Sequence, residues 1–191
     1  MAITRITSPA ITSVSSTSIS GTIPQGNIAN ASLGAVTALP AGVGGKVLQV
    51  KSVNYSTAET ITATSFTATG LSLAITPTSS SNKILIICSP HILIQRNADN
   101  GAYKVALYRD STAIMEDDAT NSYLFGFTGV TTTDVRTKQS YEFLDSPSST
   151  SSITYKLYLA NQNTSASETT KLNHNDGNLN SSLTLMEISA W

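Results

Sequence analysis

Charge is scarce in this sequence. Asp, Glu, Lys and Arg make up 12% of its 191 residues, about half the share found in an ordinary soluble domain. Lys and Arg number 11 against 12 Asp and Glu, for a formal net charge of −1. There is no basic stripe to neutralise phosphates, so nucleic acid is not an expected partner. The single cysteine, Cys88, excludes an intrachain disulfide. No apolar run reaches the roughly 18 residues of a membrane-spanning helix, so membrane insertion is not expected. The opening residues Met1-Ala2-Ile3-Thr4-Arg5 lead into Ser/Thr-rich sequence without a continuous apolar core, which argues against a secretory signal peptide. Apolar residues nowhere recur at i, i+3, i+4 and i+7 over three turns, so no long helix is expected.

Hydroxyls fill the gap. Ser and Thr account for more than a quarter of the residues, while the hydrophobic fraction is 40%, enough for a real core. Thr is β-branched and suits a pleated surface, and both residues compete with helix interiors by bonding to nearby backbone. The composition therefore points to an all-β chain kept soluble by hydroxyls and amides.

Two regions differ in pattern. In residues 1–45 single aliphatics (Ile3, Ile6, Ile11, Val14, Ile19, Ile23, Ile28, Leu33, Val36, Leu39) stand three to five apart in a small, polar background. That spacing matches neither strand nor helix, and Gly21, Pro24, Gly26 and Pro40 interrupt any regular element. The segment reads either as a disordered tail or as an extended arm ordered by other chains, with an independent small fold as a third option. Isolated aliphatics suit a narrow symmetric axis where three copies of one side chain meet. Ala41-Gly42-Val43-Gly44-Gly45 marks the boundary, and residues 46–191 form the second region.

There the alternation becomes regular. Strands are expected at 47–53, with a bulge where the face switches, and at 59–67, 71–75, 83–95, 103–110, 113–115, 123–127, 139–144, 152–160 and 182–191. The stretch 83–95 is the most apolar and reads as a central strand covered on both faces. Pro90 cannot donate to a ladder, so that strand is expected to be bulged or split there. Leu183, Leu185 and Glu187 oppose Thr184, Met186 and Ile188. Eight to ten short strands with turn signals every 10–15 residues fit an antiparallel β-sandwich of jelly-roll type. The immunoglobulin Cys–Trp–Cys framework is absent, since the only tryptophan is Trp191.

Signals for catalysis are thin. His91 lies in the most apolar stretch and reads as a buried core or interface histidine. His174 sits in Asn173-His174-Asn175-Asp176-Gly177-Asn178, a polar turn without the acidic ligand spacing of a calcium loop. Glu116, Asp117 and Asp118 form the only acidic cluster, but adjacent strand residues point to opposite faces, and a solvated loop is expected. Cys88 lies in a hydrophobic run that raises a thiol's pKa and makes it inert. No serine sits in Gly-x-Ser-x-Gly. An enzyme is not expected, nor are a cofactor, a metal or catalytic residues, and no ligand-binding residue is singled out. Tyr123, Phe125 and Phe127 read as core. The connections at 97–101 and 161–178 are exposed tips, equally suited to ligand binding or to plain solvation.

Several short runs are familiar together. Gly44-Gly45-Lys46-Val47-Leu48-Gln49-Val50, Leu107-Tyr108-Arg109-Asp110-Ser111, Phe143-Leu144-Asp145-Ser146-Pro147 ahead of Tyr155-Lys156-Leu157, and Leu183-Thr184-Leu185-Met186-Glu187-Ile188 resemble bacteriophage virion proteins. The likeness is to the short tail-fibre or fibre-like structural proteins of phages of aquatic bacteria, including cyanophages. The leader Ser18-Ile19-Ser20-Gly21-Thr22-Ile23-Pro24, followed by Asn30-Ala31-Ser32-Leu33, is similar to their attachment and stem regions. The resemblance implies a homotrimer whose head is similar to C1q or tumour-necrosis-factor heads. It implies that residues 1–45 dock on other virion proteins and that the head faces a host surface glycan or protein. The implied location is the exterior of the virion, on tail or capsid, after synthesis in the host cytoplasm. A stem of only about 45 residues departs from long-shafted fibres, and trimeric capsid cement or decoration proteins share this compact form. A glycan-degrading tail enzyme is the remote alternative.

Overall fold

In the computed structural model, residues 47–96, 102–117, 133–162, 169–174 and 179–190 are described. The chain divides between Gly44 and Gly45 into two units, and all described residues belong to the second. Their strands are β1 (Val47–Tyr55), β2 (Glu59–Ile61), β3 (Thr67–Ile75), β4 (Lys83–Ser89), β5 (His91–Arg96), β6 (Tyr103–Arg109), β7 (Thr112–Asp117), β8 (Thr133–Lys138), β9 (Tyr141–Asp145), β10 (Ile153–Asn161), β11 (Thr169–Leu172) and β12 (Ser181–Ile188).

The sheet orders are β1-β12-β4-β9, β3-β10-β6-β7 and β2-β11-β5-β8. The third repeats the first. β2 follows β1, β11 precedes β12, β5 follows β4 and β8 precedes β9, so each short strand continues its neighbour in the chain past one shared crease. Setting the short strands aside leaves eight. The first pairs with the eighth, the second with the seventh, the third with the sixth and the fourth with the fifth, all antiparallel. That nesting is the jelly roll, so the all-β sandwich of jelly-roll type is present and its topology follows from the pairing itself.

Alternation builds the core. β12 reads buried and half-buried by turns along its whole length, and β10 does so up to Leu159. Their inner side chains Leu183, Leu185, Tyr155, Leu157 and Leu159 are fully buried and meet Ile84, Ile86, Val105, Leu107, Leu71 and Ile75. Each buried aliphatic contributes about 1.5–3 kcal/mol relative to exposure. Where β3 meets β10 the register shifts between Lys156 and Tyr158. The Leu157 carbonyl freed there accepts a bond from the Thr69 hydroxyl at 2.8 Å. Gly70 lies against the Tyr55 ring, and a Cβ there would stand 2.2 Å from the Tyr55 hydroxyl. Any side chain at position 70 would have to push the half-exposed Tyr55 ring aside.

The strand expectations hold with three corrections. Residues 59–67 do not make one strand: β2 stops at Ile61 and β3 begins at Thr67, and between them the Ala63 carbonyl accepts from the Asn161 N–H at 2.8 Å as the chain crosses to the second sheet. The 83–95 stretch is split at Pro90 as expected, but β4 is covered on one face only, with Leu85 and Ile87 half-exposed on the other. The bulge in β1 falls at Leu48, between Val47 and Gln49. The stretch 123–127 lies outside the described residues.

Candidate functional site

Polar chemistry inside the head is concentrated at places where strands must be held. The crease comes first. Pro90 offers no N–H, so the ladder between β4 and β12 ends beside it. Asn173 closes the break. It is buried, and its backbone is left-handed at φ 51, a conformation asparagine tolerates better than most residues. Its Nδ2 donates to the Tyr55 carbonyl at 2.7 Å and the Thr57 carbonyl at 3.3 Å, and its backbone N–H to His91 O at 3.0 Å. The fully buried Ser181 hydroxyl donates to Asn173 Oδ1 at 2.7 Å and accepts from the His91 N–H at 2.8 Å. Two side chains thereby join the ends of β1, β5, β11 and β12.

The second place is Glu187. It occupies an inner position of β12, is fully buried, and is met by donors rather than by a cation. Thr78 N donates at 2.7 Å, the Thr78 hydroxyl at 2.8 Å, Asn82 Nδ2 at 2.6 Å and Gln49 Nε2 at 2.5 Å. Desolvation is the largest single influence and pushes the carboxyl up. The bonds from Gln49, Asn82 and Thr78 together outweigh it and hold the group below its ordinary value. The charge ties the β3–β4 turn to the start of β1.

The third place joins the two sheets. Arg109 on β6 donates through one guanidinium nitrogen to both oxygens of Asp145 on β9, at 2.8 and 2.9 Å. The Tyr155 hydroxyl on β10 donates to Asp145 Oδ2 at 2.7 Å. Burial first, then the bond to Asp145, raises the Tyr155 phenol above its ordinary range. Nearby, Asp110 turns at φ 52, donates its N–H to Thr154 O at 2.8 Å and accepts the Thr154 N–H at 2.9 Å. Arg109-Asp110, Asp145 and Tyr155 lie in three of the runs that carry the resemblance to virion proteins. Space brings these runs together as a structural bracket. Tyr103, Tyr141 and Gln139 form a further inter-sheet cluster, with hydroxyl contacts of 2.9–3.3 Å.

The residues singled out from the sequence do not converge. His91 is half-buried at the crease; burial, then Lys138 and Arg136, hold its imidazole below the usual value. His174 stands one residue beyond Asn173 and is half-buried. Cys88 is buried, with desolvation pushing its thiol up to about 12, in line with the expected inertness. Glu116 and Asp117 lie in β7 rather than in a loop, because register with Ala106 and Val105 holds them in the ladder. Asp118 and the tip at 97–101 lie outside the described residues. The connection expected to be exposed at 161–178 is no tip where it is described: Asn161 ends β10 and Thr169–Leu172 form β11. Asn161, Thr170, Leu172 and Asn173 are buried there, because β11 pairs and packs against β5 and β2. Among the described residues no group of three His, Cys, Asp or Glu side chains is placed to hold a metal ion, and no helix is long and apolar enough to cross a membrane.

Sequence reasoning missed the most telling surface. Register places Val50, Met186, Leu85 and Leu144 in one row across the outward face of the first sheet. Ser52, Thr184, Ile87 and Glu142 form the next row, in which the Ser52 and Thr184 hydroxyls bond at 2.9 Å. Val47, Leu48, Val50 and Leu144, the large hydrophobics exposed among the described residues, stand 47–56% open to solvent on this sheet. The outward face of the second sheet is different in kind: Tyr108 and Tyr158 stack there with ring centroids 3.9 Å apart. A spacing rule applied to one strand at a time cannot see a row that runs across four.

No protein family and no curated protein matches the chain. Among solved structures it is similar to the infectious bursal disease virus Gx strain structure, at 10% identity and a TM-score of 0.41, covering 73% of this chain and 32% of that one. It is also similar to the VP2 subviral particle of infectious bursal disease virus, at 12% identity and a TM-score of 0.39, covering 74% and 38%. A third is dimeric latent PorU from Porphyromonas gingivalis, at 9% identity and a TM-score of 0.31, covering 73% and 13%. The chain thus spans less than two fifths of the solved chains it is similar to, and the jelly-roll assignment rests on its own strand pairing.

Proposed function

We propose that this chain is a non-enzymatic structural subunit of a bacteriophage virion, working as a homotrimeric short tail fibre or receptor-binding appendage. In this reading residues 1–45 dock on other virion proteins and the β head is presented to the host surface. The observation that carries it is the apolar outward face of the first sheet. Antiparallel sheets that face water turn polar side chains outward, and an apolar band on a sheet face marks an interaction surface. The interior supports the same reading, because Asn173, Glu187 and Asp145 are each engaged in holding strands together. The layout supports presentation as well. Val47 pairs with Ile188 at one end of the head, whereas Arg96, Asp117 and Asn161, which lead into connecting segments, lie at the other.

The test uses purified particles of the phage that encodes the chain. Antibody against the head is expected to label the tail, and the purified full-length protein is expected to adsorb to host cells and compete with infection. A copy number comparable to that of the major shell protein would move the subunit to capsid decoration. Absence of the chain from infectious particles would sink the reading altogether.

A further inference from the structure

We propose that the outward face of the β1-β12-β4-β9 sheet is where three copies of this chain close around an axis parallel to its strands, β1 of one copy against β9 of the next. This rests on the reading that the chain works in several copies, and it names the surface and the seam.

The composition of the face selects the occupant. Of the outward positions on these four strands, Lys83 and Glu142 carry charge; the others are aliphatic, Met, Ser, Thr or Asn. A strongly charged partner finds little here to pair with. A second copy brings the same aliphatic rows and the same balance of one positive and one negative group.

Register then fixes the geometry. Val50 and Leu144 occupy one row at opposite margins of the sheet. Rotation about an axis parallel to the strands preserves height, so it brings Val50 of one copy level with Leu144 of its neighbour. One row along, Ser52 and Glu142 are matched in the same way, setting a hydroxyl donor opposite a carboxylate. Strands about 4.8 Å apart give a four-stranded face about 14 Å wide, and with the seam strands of neighbouring copies about 5–10 Å apart three such faces stand roughly 7–10 Å from the axis. Met186 and Leu85 of the three copies thus face the axis, while Val50 and Leu144, the most exposed of the large hydrophobics, meet at the seams. The contact is heterologous and closes as a ring.

The full-length protein is weighed in solution by light scattering, with three chains expected. Val50→Lys or Leu144→Glu alone is expected to reduce the mass to one chain with the far-ultraviolet spectrum unchanged. The two substitutions together are expected to restore three chains, because the introduced charges meet across the seam. A test independent of those variants pairs Ser52→Cys with Glu142→Cys and a short bis-maleimide; buried Cys88 does not compete. Chains linked in threes are expected. A three-chain mass that survives both single substitutions, or a three-chain protein that links in twos only or not at all, overturns this seam while leaving the assembly reading intact. A one-chain mass for the unaltered protein overturns both.

Discussion

The two sheets of the head treat water differently. The second sheet, β3-β10-β6-β7, turns Lys156, Glu116, Ser72 and the stacked Tyr108–Tyr158 pair outward. The first sheet, β1-β12-β4-β9, turns out Val50, Met186, Leu85 and Leu144. It is also the sheet that is creased, clamped by Asn173 and fixed at its base by Glu187. One outward face is largely polar, and the other carries four large apolar side chains in a single row. Two sheets built on the same alternation thus share one core and still carry unlike outer faces.

The largest effect that would break this contrast lies at the crease. Asn173→Ala leaves the Tyr55 carbonyl and the Ser181 hydroxyl without their partner and puts alanine at positive φ, an expected loss of about 3–4 kcal/mol. Denaturant unfolding measures it; a loss below about 1 kcal/mol would show that the crease is held by packing alone. Next is the bracket between the sheets. Asp145→Asn removes the acceptor charge facing Arg109 and Tyr155 and is expected to cost about 2 kcal/mol, read as a lower denaturation midpoint at unchanged slope.

Glu187 sharpens the comparison through pH. Its carboxyl is held below the ordinary value in the fold, so the stabilisation is fully present above the unfolded value near 4.5 and is lost as pH falls through the folded value. Glu187→Gln is expected to cost about 1–2 kcal/mol at neutral pH and to flatten stability below pH 4.5. An unchanged acid limb in the variant would remove Glu187 from the account. The smallest effect belongs to the outer face of the second sheet. Tyr158→Ala gives up the ring pair and is expected to cost about 0.5–1.5 kcal/mol without altering the number of chains per particle in solution. A change in that number would show that both faces make contacts between copies.

Much of the fold was legible. Ile153, Tyr155, Leu157 and Leu159 alternate with polar neighbours, as do Leu183, Leu185 and Glu187, and both strands lie where the pattern put them. The split at Pro90 was legible because a missing donor is a local fact. β8 and β11 were missed: Thr133–Lys138 and Thr169–Leu172 are short and polar, and they become strands by pairing with β5 rather than through any pattern of their own. The candidate surface was hidden for a related reason. Leu85 and Ile87 read as core because Ile84 and Ile86 stand beside them, and only the pairing of four distant segments shows that the two sets face opposite ways. The roles of Asn173 and Ser181 were equally out of sight, since a polar residue in a turn-like stretch gives no sign that it will be buried.

The pairing of Val47 with Ile188 also sets a timetable. Among the described strands the head's first pairs only with its last, so it has no strand partner until the last has been synthesised, and contacts of the highest sequence separation form at the end. Such topologies fold slowly. A nascent chain leaves the edge of β1 bare while most of the head is being made, a state prone to mispairing with other copies. Refolding from denaturant is therefore expected to lose more protein as concentration rises, with yield limited by how soon the last strand arrives rather than by the final stability of the sandwich.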